Sequence, residues 1–400
     1  MLLKNFRTIW KLKPVLAVAL LFASSSLLFG TWVAAIPSIK QRFGFTDGTL
    51  GLTLLFSPLG AITGVFISTR IFSRISVGKW MLAGYLTLAL IMVLQVNALN
   101  KTMLCICLYS FGVVSFLNGV AANATVNLME KKYDKLLMSS CHAMYSLGGA
   151  LSAAIVAVLV LLCIPRGLQI VIISLLVYMM TISNRKQLLS HTEIIHSGKG
   201  LRLPSASVLG ISFICMVLFM AEGCVADWSG IYLKEVLHAP KVFISMGYGV
   251  FAVAMTIGRL NGDRFVAHTG NKKAVILGSL LAGVGFLMVV IAPVTLVALA
   301  GFMIVGFGCS SIVPILFRTS ANIPGLSRVE GFAMVTTGGL IGFLSGPSVI
   351  GFISEKSGLS AGLSLLILMT ILAAVAAWKN QFITPKSLPE VSLHFDEQLY

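Results

Sequence analysis

Charged side chains are scarce in this chain of 400 residues. Asp, Glu, Lys and Arg make up only 10% of it, whereas 57% of the residues are hydrophobic and the mean hydropathy is +0.96. A soluble protein is about one quarter charged, so this chain has too few charges to cover a surface that faces water. The composition therefore predicts an integral membrane protein in a lipid bilayer.

Acidic residues are the rarest charged class, at 13 against 29 Lys and Arg, which gives a formal net charge of +16. A basic excess also occurs in nucleic-acid-binding proteins, where it forms patches interleaved with aromatic side chains. The sequence has no such patch, so we expect no nucleic-acid partner. Lys and Arg at the inner membrane face explain the excess instead.

The sequence also lacks the spacings that catalysis and metal binding need. Its seven cysteines lie mostly in apolar runs, and the nearest pair, Cys105 and Cys107, diverges on a helix. No metal-ligand spacing, Walker phosphate loop or acid pair beside a nucleophile occurs. We therefore expect no metal, no cofactor and no enzymatic activity.

Apolar runs long enough to cross a bilayer are abundant. Lipid offers no partner for backbone N–H and C=O groups, so each run must be helical. The first run is too long for the core of a cleaved signal peptide, and we keep it as a helix. The fold class is therefore an all-α membrane protein with twelve transmembrane helices. The runs lie near residues 15–36, 50–71, 80–97, 102–128, 138–163, 167–182, 206–229, 242–262, 274–291, 295–317, 331–353 and 359–378.

The longest polar gap separates the runs into two sets of six. If the N-terminus is inside, 22 of the 29 Lys and Arg residues fall on the inner side and 7 on the outer side. This asymmetry places both termini and the gap in the cytoplasm. The predicted division is a six-helix half at 1–182, a linker at 183–205, a six-helix half at 206–380 and a tail at 381–400.

The two halves share an internal repeat. At a constant offset of 194 residues, Gly64 matches Gly258, Arg70 matches Arg264, Lys79 matches Lys273, Gly112 matches Gly306 and Gly148 matches Gly342. A constant offset at separated positions indicates repeated structure. Because six helices return the chain to its starting side, the halves are related by a pseudo-two-fold axis along the membrane normal. A solute site is expected between them, near the midplane.

Several stretches carry a family resemblance. With the twelve spans, the repeat and the basic residues between the second and third helices of each half, they resemble the major facilitator superfamily and, within it, the YbjJ-like branch of bacterial inner-membrane transporters. The family's loop motif, G-x-x-x-D-R-x-G-R-R, is present in degraded form at 258–264. The stretches are WVAAIPSIKQRFG (32–44), LMSSCHAMYSLGG (137–149), ADWSGIYL (226–233), GYGVFAVAMTIGRLNGDR (247–264) and VTTGGLIGFLSGP (335–347).

The resemblance implies a secondary active transporter that moves a small solute, with protons, by alternating access. It implies a monomeric, multi-pass protein of a bacterial inner membrane. The fifth run lacks the proline of the superfamily's drug-antiporter motif, which favours uptake of a polar, sugar-like metabolite over drug or metabolite efflux by proton antiport. A third alternative is a non-transporting receptor or scaffold, which would usually carry an added soluble domain. The longest connection here is 22 residues.

Two acids in the seventh run are the first site candidates. An ionisable group at bilayer depth is costly and points to function. We expect Glu222 to exchange the coupling proton and to contact the solute; the alternative is a fixed hydrogen bond to a neighbouring helix. Asp227, about one and a half turns further, is a second proton-coupling candidate or else an edge residue solvated from outside.

Polar residues in other runs could line the cavity. In the fourth run, Asn123, Asn127 and Glu130 share a helix face and either bind solute or hold helices together. In the YbjJ-like branch, the position four residues before the one that Asn123 matches often holds Asp. In this chain that position is Gly119. In the fifth run His142 is a proton-relay candidate, with a structural role as the alternative. The remaining solute-binding candidates are Tyr145, which shares the His142 face, and Trp32, which could equally belong to the outer aromatic belt.

A charged cluster is expected at the inner face. We predict an ion-pair lock that holds this side closed and breaks when the halves rock apart. Orientation by the positive-inside rule is the alternative, but an acid does not serve that rule, so Asp263 favours the lock. Its members are Arg70, Arg74, Arg259, Asp263 and Arg264.

Overall fold

Twelve long helices make up most of the computed structural model, as the apolar runs predict. The structure describes residues 10–135, 137–194, 205, 208–320, 323–324, 326 and 328–383. Short helices at Arg185–Leu189 and Lys241–Ile244 and a π-helical turn at Tyr232–Val236 lie between the long ones. The long helices are α1 (Lys13–Phe43), α2 (Asp47–Leu54 and Phe56–Phe72), α3 (Val77–Val96), α4 (Lys101–Tyr133), α5 (Met138–Leu161), α6 (Arg166–Ser183), α7 (Leu209–Ile231), α8 (Met246–Thr269), α9 (Asn271–Val290), α10 (Thr295–Ser310 and Ile312–Ser320), α11 (Arg328–Ser357) and α12 (Leu359–Lys379).

Eleven of the described helices are long and apolar enough to cross a membrane. The twelfth, α8, has 24 residues, but its second half is polar because it carries Arg259, Asn261, Asp263 and Arg264. A span that tolerates this polarity must turn it away from lipid, towards protein or water. The polar half of α8 therefore marks the interior of the bundle as a functional region.

The repeat seen in the sequence is also a repeat of contacts. A side chain at Gly112 would meet the backbone carbonyl of Ser57, and one at Gly306 would meet that of Phe251, which is the same pairing shifted by 194 residues. Close approach of backbones needs glycine at both places. Likewise α1 packs on α5 in the first half, and α7 packs on α11 in the second. Equivalent helices thus pair in the same way in both halves.

The helix bundle has two ends, a linker face and a distal face. The linker face carries Lys13, the short helix Arg185–Leu189 and Lys379, and the distal face carries Phe43 and Val236. At the linker face the chain after α6 is bound to the first half, because the amide of Gly78 donates to the carbonyl of His191 (2.9 Å). Residues 195–204 of the linker and the tail from 384 lie outside the described residues.

The halves meet mainly along two helix pairs, α5 with α8 and α2 with α11, and α1 also contacts α7. The hydroxyl of Ser348 on α11 donates to the carbonyl of Gly51 on α2 (3.2 Å), near the distal end of both helices. Gly249 on α8 lies against Ala153 on α5, also in the distal half. These contacts close the bundle towards the distal face.

Candidate functional site

Glu222 lies near the middle of the bundle, on the face of α7 that is turned inwards. It is thirteen residues from Leu209, or about 20 Å from the linker end of the helix. The side chain is half-buried, and within the described part of the chain it has no hydrogen-bond partner. The charge that acts on it is that of Arg259 on α8. A carboxyl in this position can gain or lose a proton without breaking a fixed contact.

Arg259 is the electrostatic centre of the site. Its guanidinium is half-buried and donates a hydrogen bond to the hydroxyl of Ser146 on α5 (3.3 Å), across the boundary between the halves. Its charge acts on Glu222, His142 and Tyr145. The arginine therefore faces the cavity from the second half and touches the first.

The position of Arg259 corrects the prediction that it belongs to a lock at the inner face. The eighth run was expected to end near residue 262, but α8 continues to Thr269. Ten further residues place Arg259 about 15 Å inside the helix end. Arg70, Arg74 and Arg264 are exposed near the linker face, where the lock was expected. The side chain of Asp263 lies outside the described residues, so the lock stays a prediction.

Helices α4 and α5 join through polar side chains on the opposite wall. A ring nitrogen of His142, Nε2, lies 3.1 Å from the amide oxygen of Asn123. The amide nitrogen of Asn123 donates to the carbonyl of Gly119 (2.9 Å). His142 also meets the ring of Phe22 on α1 edge to face, at 5.2 Å between centroids. The imidazole stays exposed although three helices surround it, so it faces a water-accessible cavity.

Open space lies beside this polar wall. A side chain at Gly119 would meet no atom within 4 Å. Asn123, one turn along the same helix face, is half-buried, and Asn127, a further turn towards the linker face, is exposed. The cavity therefore opens towards the linker face, while the halves are closed at the distal face.

Glu130 belongs to a different arrangement from the cavity stripe in which the spacing places it. One of its carboxylate oxygens accepts hydrogen bonds from the backbone amides of Leu137 (2.6 Å) and Met138 (2.8 Å). These amides begin α5, where backbone donors have no partner within the helix. The carboxylate also suits the positive end of the helix dipole. Glu130 therefore caps α5.

Aromatic residues form the distal wall of the cavity. The hydroxyls of Tyr145 on α5 and Tyr248 on α8 lie beside Ser26 of α1. The ring of Tyr248 packs against Phe29 at 5.8 Å between centroids, and Phe29 stacks on Phe111 of α4 at 6.4 Å. This layer separates the polar region from the distal face. Tyr145, which is half-buried, is thus placed to meet a solute, whereas Tyr248, which was not among the predicted residues, is buried within the layer.

Two predicted residues lie elsewhere. Trp32 is only 3% exposed and packs in the hydrophobic core, so it does not belong to an outer aromatic belt. In this conformation its indole offers almost no surface to a solute. Asp227 is half-buried on α7 and, among the described residues, has no hydrogen bond or ion pair. Its position is deeper than that of a solvated edge residue.

An ionic latch, which the sequence did not reveal, joins the halves at the distal face. The ammonium of Lys40 on α1 lies 2.6 Å from Asp47 on α2 and 2.5 Å from Glu235 at the end of the second half's first helix. Beside it the ammonium of Lys234 donates to Gln41 (2.7 Å) and to the carbonyl of Pro37 (3.2 Å). Of these contacts, Lys40–Glu235 and those of Lys234 span the halves, whereas Lys40–Asp47 lies within the first half. Lys40 and Glu235 are 195 residues apart in the sequence, and no sequence pattern predicts their contact.

Comparison with known proteins gives long matches. The sequence profile of the Major Facilitator Superfamily matches residues 15–322 and 211–395. An uncharacterized MFS-type transporter of Yersinia pestis is 33% identical over 360 residues, which is 90% of this chain and 94% of that protein. Membrane protein MosC of Rhizobium meliloti is 27% identical over 372 residues, or 91% and 89% of the two chains.

Solved structures show the same fold. A D-xylose–proton symporter matches with a TM-score of 0.71 at 13% identity, over 94% of this chain and 100% of that one. A bacterial homologue of the human lysosomal transporter Spinster, inward-facing and unoccupied, matches with a TM-score of 0.71 at 12% identity, over 94% and 98% of the chains. A fold-level match of this kind leaves the cargo to be argued from the site.

Proposed function

Since this chain belongs to the major facilitator superfamily and is a membrane transporter, we propose that it takes up a small, polar, sugar-like solute together with protons, by alternating access. The finer likeness to the YbjJ-like branch stays a prediction. The proposal includes a monomer in the inner membrane, with the linker face in the cytoplasm. The conformation described above is then the inward-open one.

The observation that carries this proposal is the placement of Glu222. It is an acid in the middle of a membrane bundle, half-buried, without a fixed partner in the described region, and within the field of Arg259. Burying a carboxyl at this depth costs free energy, so its presence points to a function. A group that alternates between charged and neutral forms as the cavity changes sides is what proton coupling requires. His142 and Asp227 are the next candidates.

The solute class follows from the walls of the cavity. Asn123, His142 and Tyr145 are uncharged hydrogen-bonding groups around an open space. Such groups suit hydroxyls and amides on a ligand. Sugar and nucleoside transporters among the structural neighbours add support by analogy.

The experiment uses purified protein in liposomes with a pH-sensitive dye inside. Candidate sugars, polyols and nucleosides are added outside, and internal pH is followed. Solute entry with protons acidifies the lumen, whereas exchange against protons would make it alkaline and support efflux by antiport. Glu222→Gln should still exchange labelled solute but produce no pH change. Glu193→Gln, at the linker face, is the matched control and should behave like the parent.

Two results would contradict the assignment. If the Glu222→Gln protein acidifies the lumen like the parent, Glu222 is not the coupling group and His142 or Asp227 must be tested. If it loses exchange as well, Glu222 is structural or binds the solute directly.

A further inference from the structure

Resting on the proposed transport function, we infer that the natural solute is an anion: a small hydroxylated compound with one carboxylate, held by Arg259. The inference sharpens the sugar-like class to that of a sugar acid. It depends on the contacts of Arg259 and on the balance of charge around it.

The guanidinium of Arg259 has far more hydrogen-bonding capacity than the protein uses. It offers five N–H donors, and the bond that it makes is to a neutral hydroxyl, that of Ser146, at 3.3 Å. Within the described part of the chain no carboxylate lies within 4 Å of it, since the ion pairs there belong to Lys40 and His191. Charges at membrane depth are otherwise paired. The unused donors therefore face a place where an anion would complete the site.

Glu222 compensates the charge of Arg259 only from a longer distance. When Glu222 is ionised, the pair is neutral overall and an additional anion would be repelled by the carboxylate. When Glu222 takes up a proton, one positive charge is left over at Arg259. A planar guanidinium binds a carboxylate through two parallel hydrogen bonds. Proton and anion thus favour one another's binding, as linkage requires.

Among the described side chains near this pair, the other titratable groups do not supply the missing negative charge. Tyr145 and Tyr248 are phenols, His142 is at most a further cation, and the thiols are enclosed in apolar packing. Five titratable side chains interact electrostatically with Glu222, Arg259 or both: His142 and Tyr145 on α5, Tyr248 on α8, Cys215 on α7 and Cys309 on α10.

The remaining walls suit the rest of a sugar acid. Beside the guanidinium, His142 and Asn123 are joined to each other, and open space begins at Gly119. These groups hydrogen-bond hydroxyls without adding charge.

The inference has a consequence for the energetics of transport. One proton on Glu222 and one carboxylate on Arg259 move together, so the loaded carrier gains no net charge. Uptake should therefore be driven by the pH gradient and be insensitive to membrane potential. A neutral sugar carried with one proton would move one positive charge per cycle and would respond to the potential.

The test compares matched solutes in a thermal-shift assay on the full-length purified protein. The pairs are gluconate with glucose, galactonate with galactose, and glycerate with glycerol. We expect at least one carboxylate to stabilise the parent while its neutral partner does not, because a ligand stabilises the state that binds it. Arg259→Gln should raise the half-saturating concentration about tenfold or more, and Arg259→Lys should raise it less.

Two controls separate the site from general charge effects. Arg264→Gln, an exposed arginine five residues along the same helix, should leave carboxylate stabilisation unchanged. So should Glu193→Gln, which removes an exposed carboxyl at the linker face. The comparison of solutes on the parent protein does not depend on any variant folding.

The inference is overturned if neutral partners stabilise the parent as well as the carboxylates do, or if no carboxylate stabilises it. It is also overturned if Arg259→Gln binds carboxylates like the parent. The transport proposal is judged separately: a neutral solute that acidifies the liposome lumen would leave proton-coupled uptake standing with a different solute class. A carboxylate that binds through Arg259 but enters without protons would support the inference about the solute and contradict proton-coupled uptake.

Discussion

The latch between Lys40 and Glu235 allows a quantitative prediction about which face of the transporter is open. We expect Glu235→Gln to increase the fraction of molecules whose distal face is open. The variant keeps the size of the side chain and leaves Lys40 paired with Asp47, which belongs to the same half. The change thus weakens only the contact that the halves share.

The magnitude follows from how buried the pair is. Exposed ion pairs contribute about 0.2–1 kcal/mol, and breaking a fully buried pair costs about 3–5 kcal/mol. The side chains of Lys40 and Glu235 are 10% and 40% exposed, between these limits, and an amide can still accept a hydrogen bond. We expect a loss of about 1 kcal/mol, which changes the ratio of open to closed molecules about fivefold.

The assay is a distance measurement between spin labels at Thr49 and His238, which are exposed on opposite halves at the distal face. The exposed Cys163 is first replaced by Ser so that it does not react. The ratio of the longer-distance to the shorter-distance population should increase about fivefold in Glu235→Gln. Lys101→Gln is the control, because this lysine lies over the ring of Phe45 in its own half (4.9 Å). Equal distance distributions for Glu235→Gln and the parent, or equal widening in the control, would refute the reasoning.

Three further predictions concern other regions. Gly119→Leu should fold normally but lose solute binding, because the new side chain enters open space. Gly148→Leu should instead reduce the yield of folded protein, because the new side chain meets the backbone of Ala23. Solute binding and the yield of folded protein are measured for both variants. A cysteine at Ser190 should react with an impermeant reagent only after cells are permeabilised, and reaction in intact cells would reverse the orientation. Asp263→Asn should increase labelling of a cysteine at Gly262 from the linker face, and equal labelling would mean that the charged cluster sets only topology.

Hydropathy and the repeat were sufficient to predict the fold. The twelve long helices and the repetition of glycine contacts at an offset of 194 residues agree with what the apolar runs and the constant offset predict. The glycine positions that defined the offset prove to be places where helix backbones touch. The reason is physical: in lipid, backbone groups must be satisfied within each segment, so the length of an apolar run nearly determines the structure.

The site was harder to predict because it depends on helix ends and on contacts between distant segments. Glu222 stood out because it is an acid within an apolar run. Arg259 was placed at the inner face since the motif suggested a loop there, and a helix only two turns longer moves it into the cavity. Glu130 has the spacing of a cavity stripe, but the start of α5 lies close enough to take its carboxylate. Nothing in local sequence marked Lys40 and Glu235 as partners.

The π-helical turn at Tyr232–Val236 divides the first helix of the second half into two rotational registers. The amide of Leu237 reaches back five residues to the carbonyl of Tyr232 (3.2 Å), one residue more than in an α-helix. Each added or removed residue turns what lies beyond it by about 100°. Deleting Leu233 would therefore swing Lys234 and Glu235 away from the first half and leave Glu222 in its place. The orientation of the latch and the position of Glu222 can thus vary independently along one helix.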